Sequence, residues 1–326
     1  MEISTNPSPE LCTNPLPELF PGFAAYRLKR DDAELFWLSA GSGPPLLLLH
    51  GFPQTLAVWH RVAGLLRAGF RLVIPDLRGY GRSRGPQPDA LHHGYSKRAM
   101  ADDALAVMQA MDCTRFAVAG HDRGARVAYR LALDHPEAVE ALALLDILST
   151  FDMWEQMRMQ AALRSYHWLF LAQPAPMPEK LIGSDPLHYL HHLLERWKGR
   201  DALLDPRAVA DYEQGFLQPS TIEACCEDYR AGAGIDRERD LEDRRAGRRF
   251  ACPLLLIWGS EYFAGSSPRA AWEAWAALPG ALERPGGRPG RTELEELCLD
   301  CGHFIAEEQP EACAEALRGF FRAAIP

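Results

Sequence analysis

The chain has 326 residues, 47% hydrophobic and 24% charged, with a formal net charge of −9. That is an ordinary globular balance with enough apolar residues for a large core, and the negative charge argues against a nucleic-acid partner. No apolar run approaches the roughly 20 residues that cross a bilayer as a helix, so no membrane span is expected.

Residues 1–21 are polar and hold five prolines. They lack the basic start and apolar block of a signal peptide, so they read as a poorly ordered tail and the expected location is cytoplasmic. Residues 45–50 are a short aliphatic run between Gly41-Ser42-Gly43-Pro44 and Gly51, which predicts a buried strand. Residues 58–66 have helical spacing, 71–74 predict a second strand ending at Pro75-Asp76, and 97–111 predict a helix with Ser96 as its N-cap. A strand follows at 115–119, a helix at 125–134, and further strands at 139–146 and 253–258. This alternation predicts an α/β fold with a doubly wound, mostly parallel sheet. From 147 to about 245 the sequence is rich in Trp, Tyr, His, Met and Leu at helical spacing. We read 148–245 as a helical cap inserted into a core formed by 22–147 and 246–326. The patch Pro285-Gly286-Gly287-Arg288-Pro289-Gly290 predicts a loop before the last strand.

The eight cysteines are expected to be reduced thiols in a chain of this length without an export signal. Cys298-x-x-Cys301 with His303 lacks a second ligand pair, so no metal is expected. No cofactor is expected either.

Between the strand at 115–119 and the helix at 125–134 lies Gly120-His121-Asp122-Arg123-Gly124. A small-x-acid-x-small turn from strand to helix has the spacing of a nucleophile elbow, with Asp in place of Ser. A carboxylate there is poorly suited to acyl transfer, because the anhydride it would form is too reactive to be a useful intermediate. It suits displacement of a leaving group from a saturated carbon, giving an alkyl ester that water then cleaves. His50-Gly51-Phe52-Pro53 ends the first buried strand, where backbone N–H groups can hold a carboxylate oxygen. The expected donors are the N–H groups of Phe52 and Arg123. His303, late in the chain, is the expected base for the water. Asp146 and Glu261 each follow a strand, and either could orient its second ring nitrogen. The charges in Asp76 to Ser83 read as loop-fixing rather than reactive.

Several longer motifs accompany these residues: His121-Asp122-Arg123-Gly124-x-Arg126, Ala132-Leu133-Asp134-His135-Pro136, Leu145-Asp146-Ile147, His167-Trp168, Gln173-Pro174-Ala175-Pro176-x-Pro178-Glu179-Lys180 and Asp228-Tyr229-Arg230-Ala231-Gly232. With them the chain resembles the fluoroacetate (haloacetate) dehalogenases of the α/β-hydrolase superfamily. The resemblance implies Asp122 as nucleophile, His303 as base and Asp146 as the acid behind it. It implies Arg123 and Arg126 as the pair binding the substrate carboxylate, which suits the planar guanidinium fork. It implies a halide pocket of His167, Trp168 and Tyr229, all of which can donate hydrogen bonds. The implied substrate is a small anionic haloacid, the implied assembly a homodimer. Residues 281–297, Cys301-Gly302 and Glu261-Tyr262-Phe263 depart from the family pattern, which bears on the pose of His303.

Two other readings use the same residues. An epoxide hydrolase would share Asp122 and His303 but needs cap tyrosines to protonate the epoxide oxygen. Tyr229 could be one, while His167-Trp168 stands where its partner is expected. A non-catalytic small-molecule-binding protein of the same fold would bind without releasing product.

Overall fold

Short runs of Leu, Val, Ile and Ala pair side by side to form the centre of the molecule. A computed structural model describes residues 8–30, 32–262, 267–277 and 293–325. The strands are β1 (Glu10–Cys12), β2 (Ala24–Lys29), β3 (Glu34–Ala40), β4 (Pro45–Leu49), β5 (Arg71–Pro75), β6 (Phe116–His121), β7 (Val139–Leu145), β8 (Leu254–Gly259) and β9 (Leu294–Leu299). They form one sheet in the order β1-β2-β3-β5-β4-β6-β7-β8-β9. From β5 to β9 the neighbours are parallel, while β1, β2 and β3 join antiparallel at the β5 edge. Every residue of β6 and β8 is buried, as expected of parallel strands covered on both faces.

The helices are α1 (His60–Leu66), α2 (Lys97–Ala110), α3 (Arg123–Asp134), α4 (Thr150–Glu155), α5 (Met159–Arg164), α6 (Tyr166–Leu171), α7 (Met177–Ser184), α8 (Pro186–Trp197), α9 (Pro206–Phe216), α10 (Pro219–Ala233), α11 (Ile235–Arg245), α12 (Arg269–Trp272), α13 (Ile305–Glu308) and α14 (Pro310–Ala324). Helices α4 to α11 all lie between β7 and β8, with no strand among them. Ser96 caps α2 as expected, its hydroxyl accepting from the Ala99 N–H. No helix among the described residues is long and apolar enough to cross a membrane.

The expected tail over 1–21 needs correction. Residues 1–7 lie outside the described residues, but Glu10–Cys12 pair with β2. Leu19, Phe20 and Phe23 are buried in the core. Asn14 fixes the approach: its Nδ2 donates to the carbonyls of Phe20 (3.0 Å) and Phe23 (3.2 Å), and its Oδ1 accepts from the Leu16 N–H (2.8 Å). Three buried apolar side chains and a satisfied amide hold this segment against its chain entropy. The expected loop at 285–290 lies outside the described residues.

Strand register sets where the chemistry can occur. Leu49 pairs with Gly120, His121 with Leu145, and Leu145 with Ile257. The segments leaving the C-terminal ends of β4, β6, β7 and β8 therefore sit side by side. From β4 the chain runs to β5 on one flank of it and then returns to β6 on the other, so the β4/β6 boundary is a topological switch point, where open α/β sheets leave a crevice.

Candidate active site

Asp122 caps α3 with φ 46° and ψ −115°, a left-handed conformation that costs a non-glycine residue about 1–3 kcal/mol. Close backbone packing enforces it. A Cβ on Gly120 would lie 2.5 Å from the Gly124 carbonyl oxygen, and one on Gly124 would lie 2.2 Å from that of His50. Gly51 has the same constraint from the other side, since a Cβ there would come within 2.5 Å of the Asp122 Cβ. Any side chain at these positions would push the elbow out of the sheet edge.

The Asp122 carboxylate has two different oxygens. Oδ1 accepts from the Phe52 N–H at 2.9 Å. Oδ2 faces the His303 Nε2 at 3.9 Å. Of the two expected backbone donors, Phe52 reaches the carboxylate, and the Arg123 N–H makes no hydrogen bond to it among the described residues. Burial pushes the Asp122 pKa up, but His303, His121, Arg126 and Arg123 outweigh it and leave it below the ordinary value. The carboxylate is ionised at neutral pH.

His303 Nδ1 lies 2.5 Å from the Asp146 Oδ2. The second Asp146 oxygen accepts from the Gly259 N–H at 2.9 Å. Asp146 itself has φ 57°, which turns its side chain back across the end of β7. Glu261 does not compete for the ring: it is exposed, and its Oε2 accepts from the Arg200 N–H at 3.1 Å. Burial disfavours charge on either partner, lowering the His303 pKa to about 4 and raising that of Asp146. One proton shared between Nδ1 and Oδ2 leaves Nε2 free to accept another.

The two arginines of the elbow helix are three residues apart and share a face, but their surroundings differ. Arg123 is fully buried and committed to Asp228, with Nε 3.0 Å from Oδ2 and Nη2 on both Oδ1 and the main-chain carbonyl. Lys97 and Tyr80 also donate to Asp228, which completes a buried network. The Arg123 Nη1 has no hydrogen-bond partner among the described residues. Arg126 is also buried, yet it has no carboxylate partner among the described residues. Its Nη1 donates to the Leu148 carbonyl at 2.9 Å and reaches the Thr150 hydroxyl at 3.4 Å, while its Nε is unpartnered. The guanidinium lies 4.5 Å from the Trp168 ring centre.

Asp122 and Arg126 line one cavity of about 430 Å³ together with Asp146, Trp168, Trp197 and Tyr262. His167 and Tyr229 pack behind it, with ring centres 5.6 Å apart, and Trp168 stands 5.6 Å from Tyr229. The His167 Nδ1 and the Tyr229 hydroxyl are buried without a hydrogen-bond partner among the described residues. Burial lowers the His167 pKa to about 3 and raises that of Tyr229, so both are neutral donors. A larger cleft of about 550 Å³ is lined by Arg82 and Asp211 among others, but those two side chains pair with each other. The loop at Asp76 to Ser83 is structural as expected: the Asp76 carboxylate accepts from the N–H groups of Leu56 and Arg82, both at 2.8 Å.

Three further residues bear on His303: His121 from the elbow motif, Tyr262 from the segment that departs from the family pattern, and Trp197, which no sequence motif marks. The His121 Nε2 donates to the His303 carbonyl at 2.8 Å. The His303 N–H donates to the Trp197 carbonyl, also at 2.8 Å. The Tyr262 ring stacks on the imidazole with centres 4.3 Å apart. Nothing in the local sequence around Trp197 points to its contact, because it joins segments more than 100 residues apart.

Residues 44–310 match the family model described as alpha/beta hydrolase fold. Fluoroacetate dehalogenase from Burkholderia sp is 40% identical over 93% of this chain and 95% of its own length. Soluble epoxide hydrolase from Corynebacterium sp. (strain C12) is 29% identical over 88% of this chain and 93% of its own. The crystal structure of ALR0039 from Nostoc sp PCC 7120 superposes with a TM-score of 0.84 at 42% identity, covering 92% of this chain and 98% of that one.

Proposed function

The chain belongs to the α/β-hydrolase family, and we propose that this member hydrolyses the carbon–halogen bond of small 2-haloacids, fluoroacetate and chloroacetate among them. The observation that carries this reading is Arg126. It is a permanently charged group, buried, without a carboxylate partner among the described residues, on the wall of the cavity that holds Asp122. A buried cation is costly unless an anion joins it. A substrate carboxylate supplies that anion and overcomes the repulsion expected from a chain of net charge −9.

The reaction has two steps. The carboxylate of the substrate binds at Arg126 and the free Nη1 of Arg123. Oδ2 of Asp122 attacks the α-carbon in line, and the carbon–halogen pair of electrons leaves with the halide. Donors of His167, Trp168 and Tyr229 meet the charge on the departing halide, which develops only in the transition state. The product is an alkyl ester on Asp122. A water then gives its proton to the His303 Nε2 and adds to the Asp122 carbonyl carbon. The Phe52 N–H stabilises the oxyanion on Oδ1, and Asp146 stabilises the imidazolium. The tetrahedral intermediate collapses, the imidazolium returns its proton to the leaving alkoxide, a 2-hydroxyacid such as glycolate departs, and the Asp122 carboxyl loses the remaining water proton to solvent, restoring the carboxylate. Helices α4 to α11 act as the cap that encloses the substrate. No step needs a metal or an organic cofactor.

A pH dependence follows from His303. Protonation of the imidazole below its pKa removes the base, and burial has brought that pKa down to about 4. Hydrolysis of the ester therefore holds its rate through neutral pH and falls only as the pH approaches about 4. A rate that falls near the ordinary histidine value in single-turnover measurements at graded pH would contradict this assignment.

The reading is tested with Arg126→Met, which keeps the stem and removes the charge. We expect kcat/KM for fluoroacetate and chloroacetate to fall about 10²-fold or more, most of it in KM. Styrene oxide is the comparison substrate. Turnover of the epoxide but of neither haloacid, unaffected by Arg126→Met, would overturn the proposal in favour of an epoxide hydrolase using the same Asp122 and His303.

A further inference from the structure

The loop that carries His303 is tied down by a carboxylate with no part in the chemistry. Glu308 ends α13 and turns its side chain back over the loop. Its Oε1 accepts from the Phe304 N–H at 2.9 Å. Its Oε2 accepts from the Gly302 N–H at 2.7 Å and from the Gly199 N–H at 2.9 Å. One carboxylate thus takes the main-chain donors on both sides of His303 and a third from the turn after α8. The first of these bonds resembles the reciprocal half of a capping box, a helix carboxylate accepting from the N-cap N–H. The other two reach outside the helix and join the His303 loop to the inserted helices.

The joint has no slack. A Cβ on Gly302 would lie 2.2 Å from the Gly199 nitrogen and 2.6 Å from the Trp197 carbonyl oxygen. A Cβ on Gly199 would lie 2.6 Å from the Glu308 Oε2. His303 itself adds two main-chain bonds, its N–H to Trp197 and its carbonyl to His121. The same Trp197–Gly199 corner contributes the Trp197 and Lys198 side chains to the substrate cavity. Glu308 therefore adds to the direct His303–Trp197 bond in fixing the His303 loop against the turn after α8.

We propose that Glu308 is a positioning residue for His303 and governs the second half-reaction, cleavage of the Asp122 ester, while leaving halide release in place. The inference rests on the two-step reading above. The distinction follows from which groups each step uses. Displacement needs the Asp122 charge and the bound substrate, and Asp122 is held by the elbow and by Phe52. Ester cleavage needs a water aligned between Nε2 and the Asp122 carbonyl carbon. A misplacement of about 1 Å in such an arrangement can cost about 10²-fold.

The test uses the full chain with fluoroacetate and rapid quenching, reading fluoride, glycolate and the mass of the Asp122 peptide. Glu308→Gln keeps the volume but offers one acceptor oxygen and turns N–H groups toward main-chain donors. Gly199→Ala strains the same joint from the other side and leaves the carboxylate intact. For both we expect a fluoride burst near one equivalent at the wild-type rate, glycolate formation slower by about 10²-fold, and ester accumulating on Asp122. A burst that shrinks in step with turnover, or turnover equal to wild type in both variants, would overturn the proposal. His303→Asn is the control for the underlying reading. If it too fails to accumulate ester while the wild type turns over, the two-step scheme has failed rather than the role of Glu308. If the wild type acts on styrene oxide instead, the same partition is read as ester against diol.

Discussion

Asp122→Asn protein incubated with fluoroacetate or chloroacetate is expected to release halide at less than about 10⁻⁴ of the wild-type rate. The amide is the same size as the carboxylate and fits the same elbow. Its carbonyl oxygen can keep the Phe52 N–H bond that Oδ1 makes at 2.9 Å. The variant loses the negative charge that makes Oδ2 a nucleophile. Arg126 and the cavity wall are untouched, so chloroacetate should still bind, and calorimetric titration measures that directly. Loss of halide release with binding retained assigns Asp122 to the chemistry. Halide release within tenfold of wild type would mean that water attacks the substrate without Asp122, and the ester scheme would be wrong.

The second large effect is of a different kind. His303→Asn is expected to release one equivalent of fluoride in a burst and then slow, with steady turnover down by about 10²–10⁴-fold. The His303 Nε2 lies 3.9 Å from the Asp122 Oδ2 and, in the proposed scheme, takes a proton only after the ester has formed. Its removal leaves the ester without an activated water. The Asp122 peptide should carry the mass of a carboxymethyl group, detected after proteolysis. Equal loss of the burst and of turnover would show that His303 is needed before the ester forms.

Much of this site was legible in the chain because its parts are local. The glycines at 120 and 124 bracket Asp122 at a spacing that only a sharp strand-to-helix turn uses, and the structure gives each a backbone neighbour that excludes a Cβ. The aliphatic runs of β4, β6, β7 and β8 have no polar face, which marks a covered parallel sheet. Strands β1 to β3 were missed for the opposite reason. Ala24-Ala25-Tyr26-Arg27-Leu28-Lys29 has a weak alternation, and its strand conformation depends on pairing with β1 and β3.

What the sequence could not resolve depends on distant partners. Asp146 and Glu261 both follow strands, and only the turn at Asp146, with its left-handed φ of 57°, brings a carboxylate onto His303. Arg123 and Arg126 look equivalent in the chain. Their difference is made by Asp228, which lies 105 residues beyond Arg123 and neutralises it. That separation turns an expected pair of equal arginines into one largely satisfied group and one with no salt bridge among the described residues.

The covalent ester on Asp122 is the central claim, and a single turnover in heavy-oxygen water tests it most directly. Protein in excess over fluoroacetate is quenched after one cycle, and label is read in glycolate and in the Asp122 peptide by mass spectrometry. The account predicts fluoride and glycolate in equal amounts, glycolate without label, and heavy oxygen in the Asp122 carboxylate. Label in the glycolate of that first cycle, or no fluoride at all, would contradict it.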